Sequence, residues 1–196
     1  MRRKDESKDQ LIRSIAMKMI VKEGFDGFSM HKLAKAAGLS PATLYIYFID
    51  REDLIMSICS EEVNNMARAS LAGFDPESSF SDGIRIQWLN RARYCLKYPE
   101  RMSFLEQMRH SALRDKFTNL AANDFKNAMH AFLNNAIQRK ELVNVPIEVF
   151  WSVAFAPLYN LVKFHNEKSG VGCQHFQFSE EIMLQTLNLV IKALTP

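Results

Sequence analysis

An all-α fold is what this sequence predicts, and three observations carry that expectation. Gly and Pro number only 7 and 6 in 196 residues, few for a chain built from tight turns. No regular run of alternating apolar and polar residues marks a half-buried strand. Apolar residues recur instead at spacings of three and four, the period of a helix face. At 47% hydrophobic residues the chain can fill a core of ordinary size, which excludes disorder.

Taken in order, the first helix reads from about Ser7 to Glu23. Leu11, Ile12, Ile15, Ala16, Met19 and Ile20 share one face, with Arg13, Lys18 and Lys22 elsewhere. Gly24 stands where a left-handed residue ends a helix most easily, and Phe25 and Phe28 read as core plugs. Ser29 is a good N-cap for a second helix, Met30 to Ala37, with Met30, Leu33, Ala34 and Ala37 inward. Gly38-Leu39-Ser40 makes a tight turn. Pro41 then sits at the first position of a short third helix, after the Ser40 cap. Leu44 and Phe48, four apart, pack that helix inward. Asp50 caps a fourth helix over about Arg51 to Ala72, with Asp53 in its first turn.

A loop is expected over "GFDPESSFS", Gly73 to Ser81, followed by helices at roughly 82–97, 99–109, 112–140, 146–167 and 178–194. That makes about nine helices. In the longest, Phe117, Ala121, Phe125, Ala128, Phe132 and Ala136 repeat at helical spacing. Pro157 should kink the next one and open space beside Trp151 and Tyr159. The organisation expected is a three-helix head over residues 1–54 and a larger helical body over residues 55–196.

Charge is distributed unevenly along the chain. The net formal charge is only +3, but residues 1–48 hold nine Lys/Arg against five Asp/Glu, and the remaining 148 hold sixteen against seventeen. The positive excess lies wholly in that N-terminal quarter, as expected if it meets a polyanion. Two helices joined by a glycine turn and braced by a third form a helix-turn-helix, whose second helix lies in the major groove of DNA. On a third helix barely two turns long, Leu44 and Phe48 take the core side. Thr43, Tyr45, Ile46 and Tyr47 then project largely outward. Tyrosine hydroxyls suit phosphate oxygens, and threonine suits a base edge or a thymine methyl. Arg51, a cation at a helix N-terminus, makes electrostatic sense if both are aimed at one external phosphate.

The stretch from Ser14 to Ile55 closely resembles the DNA-binding head of the TetR family of bacterial transcriptional regulators. The matching residues are Gly24-Phe25, Ser29, Leu33-Ala34, Ala37-Gly38-Leu39-Ser40, Thr43-Leu44-Tyr45, Tyr47-Phe48 and Arg51-Glu52-Asp53-Leu54, in order and with spacing intact. The resemblance implies that Pro41, Ala42, Thr43 and Ile46 approach bases, that Tyr45 and Tyr47 bind phosphates, and that Ser29 caps the second helix against the DNA backbone. Ser40 belongs to the same set. Arg51 stands where the family usually has lysine. Ala42 and Ile46 offer bases no hydrogen bond, so specificity would draw on thymine methyls and DNA shape.

For the body, the resemblance implies a homodimer formed by the last two helices, a palindromic operator and a small-molecule pocket. The first of those helices is apolar almost all round, more than one core face requires. Candidate pocket residues are Trp88, Tyr94, Met102, Phe104, Met108, Phe125, Met129, Phe132, Trp151 and Phe155. Their ligand should be small and largely apolar or aromatic, because body charges concentrate near predicted termini and loops. The function expected is a ligand-responsive DNA-binding regulator, more often a repressor. The alternative is a ligand-binding or protein-interaction helical protein whose head does not read DNA.

Other classes find no support. Cys59, Cys95 and Cys173 are scattered, which suits a reducing cytosol and small core hydrophobes rather than a disulfide framework or zinc site. The five histidines show no metal-ligand spacing. Glycine-rich phosphate loops and nucleophile elbows are missing, so neither enzyme activity nor a cofactor is expected. The most apolar long stretch, Val149 to Val162, is too short to span a bilayer. A cytoplasmic location without membrane attachment follows as the expectation.

Overall fold

A computed structural model of the chain describes residues 5–118, 120, 123–172 and 175–196. Ala121 and Cys173 lie outside the described residues. Eleven helices occur among those described: α1 (Glu6–Gly27), α2 (Met30–Ala37), α3 (Pro41–Tyr47), α4 (Arg51–Ser70), α5 (Phe80–Lys97), α6 (Pro99–Arg109), α7 (Arg114–Thr118), α8 (Asn123–Gln138), α9 (Ile147–Ala154), α10 (Ala156–Asn166) and α11 (Glu180–Leu194). The all-α expectation holds, and the extra two helices come from breaks in two predicted long ones. At the first, the Leu120 N–H closes a tight turn on the Phe117 carbonyl at 3.1 Å instead of continuing the helix. At the second, Phe155 departs from helical geometry (φ −125°, ψ −27°) and Pro157, which has no N–H, follows in the first turn of α10.

The chain divides into two compact units that differ from the expected cut after residue 54. One comprises Met1–Asn65 and Tyr98–Ala121, the other Met66–Lys97 and Ala122–Pro196. The expected head thus shares its unit with α6 and α7.

In the first unit Ile12, Ala16 and Ile20 form the fully buried stripe of α1, and Leu33, Leu44, Leu54, Ile55 and Ile58 of α2, α3 and α4 are fully buried as well. Asp5 caps α1 by accepting from the Ser7 N–H at 3.0 Å. Gly24 takes the chain out of α geometry at φ 73°, and Phe28 plugs the core while Phe25 stays half-buried. Along α1 packs α6, where the Gln107 amide donates to the Val21 carbonyl at 3.1 Å. Glu62, buried, pairs with Arg101 at 3.2 Å.

In the second unit α5 runs through the core, burying Phe80, Ile84, Trp88 and Cys95. The Phe80 N–H at its start donates to the Glu141 carboxylate at 2.7 Å. Amides of α5 also serve another helix end: Gln87 and Asn90 donate to the Ser70 carbonyl at 3.0 and 3.1 Å, and Asn90 to that of Ala72 at 2.8 Å. These carbonyls close α4, where a helix has no partners of its own. Phe132 of α8 lies against the Phe80 ring at 6.0 Å and edge-on to Phe74 at 5.1 Å. Cys59 and Cys95 are buried free thiols, one in each unit. Desolvation raises the Cys59 pKa from 9.0 to about 12, with help from Glu62. It raises that of Cys95 to about 11 against an opposing pull from Arg91. Thiols held protonated in this way pack as small hydrophobes.

Candidate nucleic-acid interface

The turn between α2 and α3 is set by one residue. Gly38 adopts φ 65°, ψ 30°, a left-handed conformation that side chains with a Cβ resist. Its N–H bonds the Lys35 carbonyl at 3.3 Å, and the Leu39 N–H bonds that of Ala34 at 2.9 Å. This pair of bonds closes the last turn of α2 in a Schellman motif. Both helices are capped at their starts. Ser29 accepts from the Lys32 N–H at 3.3 Å, and Ser40 from the Thr43 N–H at 3.2 Å. Pro41, at the first position of α3, has no N–H to leave unsatisfied.

α3 is held by Leu44, which is fully buried, and followed by Phe48, which is nearly so. The Arg13 guanidinium lies 5.1 Å from the Phe48 ring while bonding Asp9 at 2.6 Å and Ser57 at 2.8 Å. With those two side chains committed inward, Tyr45 and Ile46 are left 55% and 57% exposed. Ala42 is exposed beside them, and Pro41, Thr43 and Tyr47 are half-buried. The Thr43 hydroxyl lies 2.9 Å from that of Ser40. The Tyr47 hydroxyl accepts from the Asp5 N–H at 3.3 Å. Ile49, just beyond α3, is 83% exposed. It went unnoticed in the sequence because its neighbours Phe48 and Asp50 have plain structural roles.

Arg51 has an internal partner that the sequence does not reveal. Its Nη2 donates to the Phe25 carbonyl at 2.5 Å, and its guanidinium lies 5.6 Å from the Phe28 ring. Nε is buried without a hydrogen-bond partner. The positive end of α4 also has its own anions: Asp50 accepts from the Asp53 N–H at 2.8 Å, and Asp53 from the Ile49 N–H at 2.9 Å. Glu52 forms an ion pair with Lys116. The electrostatic argument for an external phosphate at Arg51 therefore loses its premise.

The candidate pocket residues fall in both units. Met102, Phe104 and Met108 lie on α6 in the first, and the other seven lie in the second. Trp88, Phe104, Met108, Phe132 and Phe155 are fully buried, Tyr94 and Met129 nearly so, and Met102, Phe125 and Trp151 half-buried. The structure brings Phe125, Trp151 and Phe155 together around Arg91. Arg91 corrects the expectation that body charges keep to termini and loops, since it sits mid-helix in α5 and is buried. Its signal was its register, because Ile84, Trp88, Arg91 and Cys95 follow one another at spacings of four, three and four on the core face. Among the described residues, no group of three or more His, Cys, Asp or Glu is placed to hold a metal ion.

A pair of helices closed by a left-handed glycine, braced by α1 and presenting an exposed face on the second, defines a helix-turn-helix protein. Residues 12–58 match the family model described as bacterial regulatory proteins, tetR family. A crystal structure of a TetR family transcription regulator from Marinobacter aquaeolei superposes with a TM-score of 0.75 at 28% identity, covering 99% of this chain and 98% of that one. An uncharacterized HTH-type transcriptional regulator of Haemophilus influenzae is 31% identical over 97 residues, which is 49% of this chain and 51% of that protein. One from Staphylococcus aureus is 36% identical over 55 residues, 28% and 30% of the two chains. The matches thus span about half the length of the first curated relative and less of the second. Residues 12–58 are thus similar to the N-terminal domain of the TetR family, and the chain as a whole shares the fold of TetR family regulators.

Proposed function

We propose that this chain binds double-stranded DNA through α3 and regulates transcription as a homodimer on a palindromic operator, as a repressor released by a small-molecule effector. The observation that carries the reading is α3 itself. Of its seven residues only Leu44 is buried, while Tyr45 and Ile46 are more than half exposed. A packing role accounts for neither. Pro41, Ala42, Thr43 and Ile46 would meet base edges and thymine methyls, and Tyr45 and Tyr47 would bond phosphates. Ser29 and Ser40 would present their helix starts to the backbone. Arg51 serves the same surface from behind, by fixing the α1–α2 turn at Phe25.

Support for the homodimer comes from apolar side chains exposed on α9 and α11: Ile147 at 53%, Val149 at 46% and Leu189 at 63%. A two-fold pair of heads would read half-sites one helical turn apart. The effector would bind in the body, against aromatic residues of the candidate set. No enzyme activity, cofactor or metal belongs to this reading, and its place is the cytoplasm. No helix among the described residues is long and apolar enough to cross a membrane.

The test is to incubate purified protein with sheared genomic DNA from its source and sequence what is retained, with Tyr45→Ala as control. Enrichment of a palindromic site by wild type alone is the expected result. No enrichment from a folded, dimeric protein would favour a head that does not read DNA.

A further inference from the structure

Arg91 places a guanidinium cation at a site only 3% exposed. None of the ion pairs among the described residues involves it. Its Nε donates to the Gln87 Oε1 at 3.2 Å and its Nη1 to the Tyr159 hydroxyl at 2.6 Å, both neutral acceptors. Nη2 is buried with no hydrogen-bond partner. Three aromatic rings surround the group, with the guanidinium carbon 4.4 Å from the centre of Phe155, 5.1 Å from Phe125 and 5.3 Å from Trp151.

Burying a cation is costly unless an anion or a full set of hydrogen bonds compensates. Ring quadrupoles return part of that cost, but no face here supplies negative charge. The guanidinium is nonetheless held in place. Gln87, itself fully buried, donates its amide to the Ser70 carbonyl at 3.0 Å, which turns its oxygen toward Arg91. A fixed cation with an unused N–H edge and apolar walls has the features of half an ion pair. Phe125 and Trp151 are only half-buried, so two of the three walls reach the surface.

We infer that Arg91, with Phe125, Trp151 and Phe155, forms the binding site for a small organic carboxylate, whose head group bonds Nη2 and whose apolar body lies against the rings. Carboxylate geometry matches the planar guanidinium fork, and an aromatic or short aliphatic acid suits walls without other charges. That this acid is the effector rests on the regulator reading above; its binding does not.

The test is isothermal titration of the full chain with benzoate and octanoate against benzamide and octanamide. At least one acid is expected to bind wild type tenfold or more tightly than its amide. Arg91→Met should erase that preference, and Arg91→Lys, which keeps charge but loses the fork, should reduce it. Quenching of tryptophan fluorescence by acid and not by amide gives the same answer on wild type if the variants do not fold. Equal or absent binding of acids and amides to wild type, or a preference that survives in Arg91→Met, would overturn the proposal. The DNA-retention assay runs in parallel with and without the acid. Retained operator with no acid preference removes this ligand class and leaves the regulator; acid preference without retained DNA does the reverse.

Discussion

The α2–α3 turn and the α9–α10 break solve one problem in two ways. Each interrupts a helical path and leaves backbone groups needing partners. Between α2 and α3, every partner comes from within a few residues: Gly38 and Leu39 bond back to Lys35 and Ala34, and Ser40 caps forward onto Thr43. Between α9 and α10, neither helix has a side-chain cap at its start. The carbonyl of Ala154 is met instead by the Trp88 indole N–H, 66 residues away in sequence, at 2.8 Å. One junction is stabilised by its own sequence and the other by the fold around it. Damage to the first should be small and local, and damage to the second large and cooperative.

Trp88→Phe is the strongest way to break that comparison. It removes indole volume from a fully buried site and leaves the Ala154 carbonyl without its donor. Together these should cost about 3 kcal/mol in a urea melt. A loss no larger than that of a surface substitution would show that the α9–α10 break holds itself. Gly83→Ala tests the same unit from the α5 side. An added Cβ would lie 2.3 Å from a ring carbon of buried Phe132, so overpacking of about 2 kcal/mol is expected. At the local junction the effect should be smaller. No atom lies within 4 Å of a Cβ added at Gly38; Gly38→Ala therefore costs only left-handed strain, about 1 kcal/mol. A larger loss would mean that the turn depends on contacts beyond itself.

The same contrast explains what could be read from the sequence. Caps and glycine turns are written in adjacent residues, so Ser29, Gly38, Ser40, Pro41 and Asp50 announced the elements that the structure shows. Leu44 and Phe48 were legible because the helix between them is too short to bury anything else. What escaped depended on distant partners. Arg51 reads as a free cation until Phe25, 26 residues earlier, is brought to it. Arg91 reads as one charge among many until its position on α5 places it among three rings. Helical periodicity also runs across breaks without marking them. Phe117 and Phe125 keep the spacing of one helix although Leu120 lies outside any. Pro157 gave warning of its break, and the 117–125 segment carries no proline to do so.

Tyr45→Phe carries the smallest expected change in stability and most directly separates fold from function at the local junction. The side chain is 55% exposed, and removing one hydroxyl there should leave the unfolding midpoint within about 0.5 kcal/mol of wild type. Under the proposed phosphate contact it should still weaken DNA binding roughly fivefold, about 1 kcal/mol. Because a phosphate oxygen is the same at every base pair, the loss should be equal on operator and on random duplex. Filter binding on both, at several salt concentrations, measures this. A loss confined to the operator would place the hydroxyl on a base edge, and no loss on either would remove Tyr45 from the interface. Arg51→Ala is the companion case, since its guanidinium is spent on the Phe25 carbonyl. It should leave the salt slope unaltered, whereas a lost phosphate contact would lower it by about 0.9. If the slope is unaltered and the fold weakens, the two side chains divide the work: Tyr45 faces the duplex, and Arg51 holds the turn from which that face is presented.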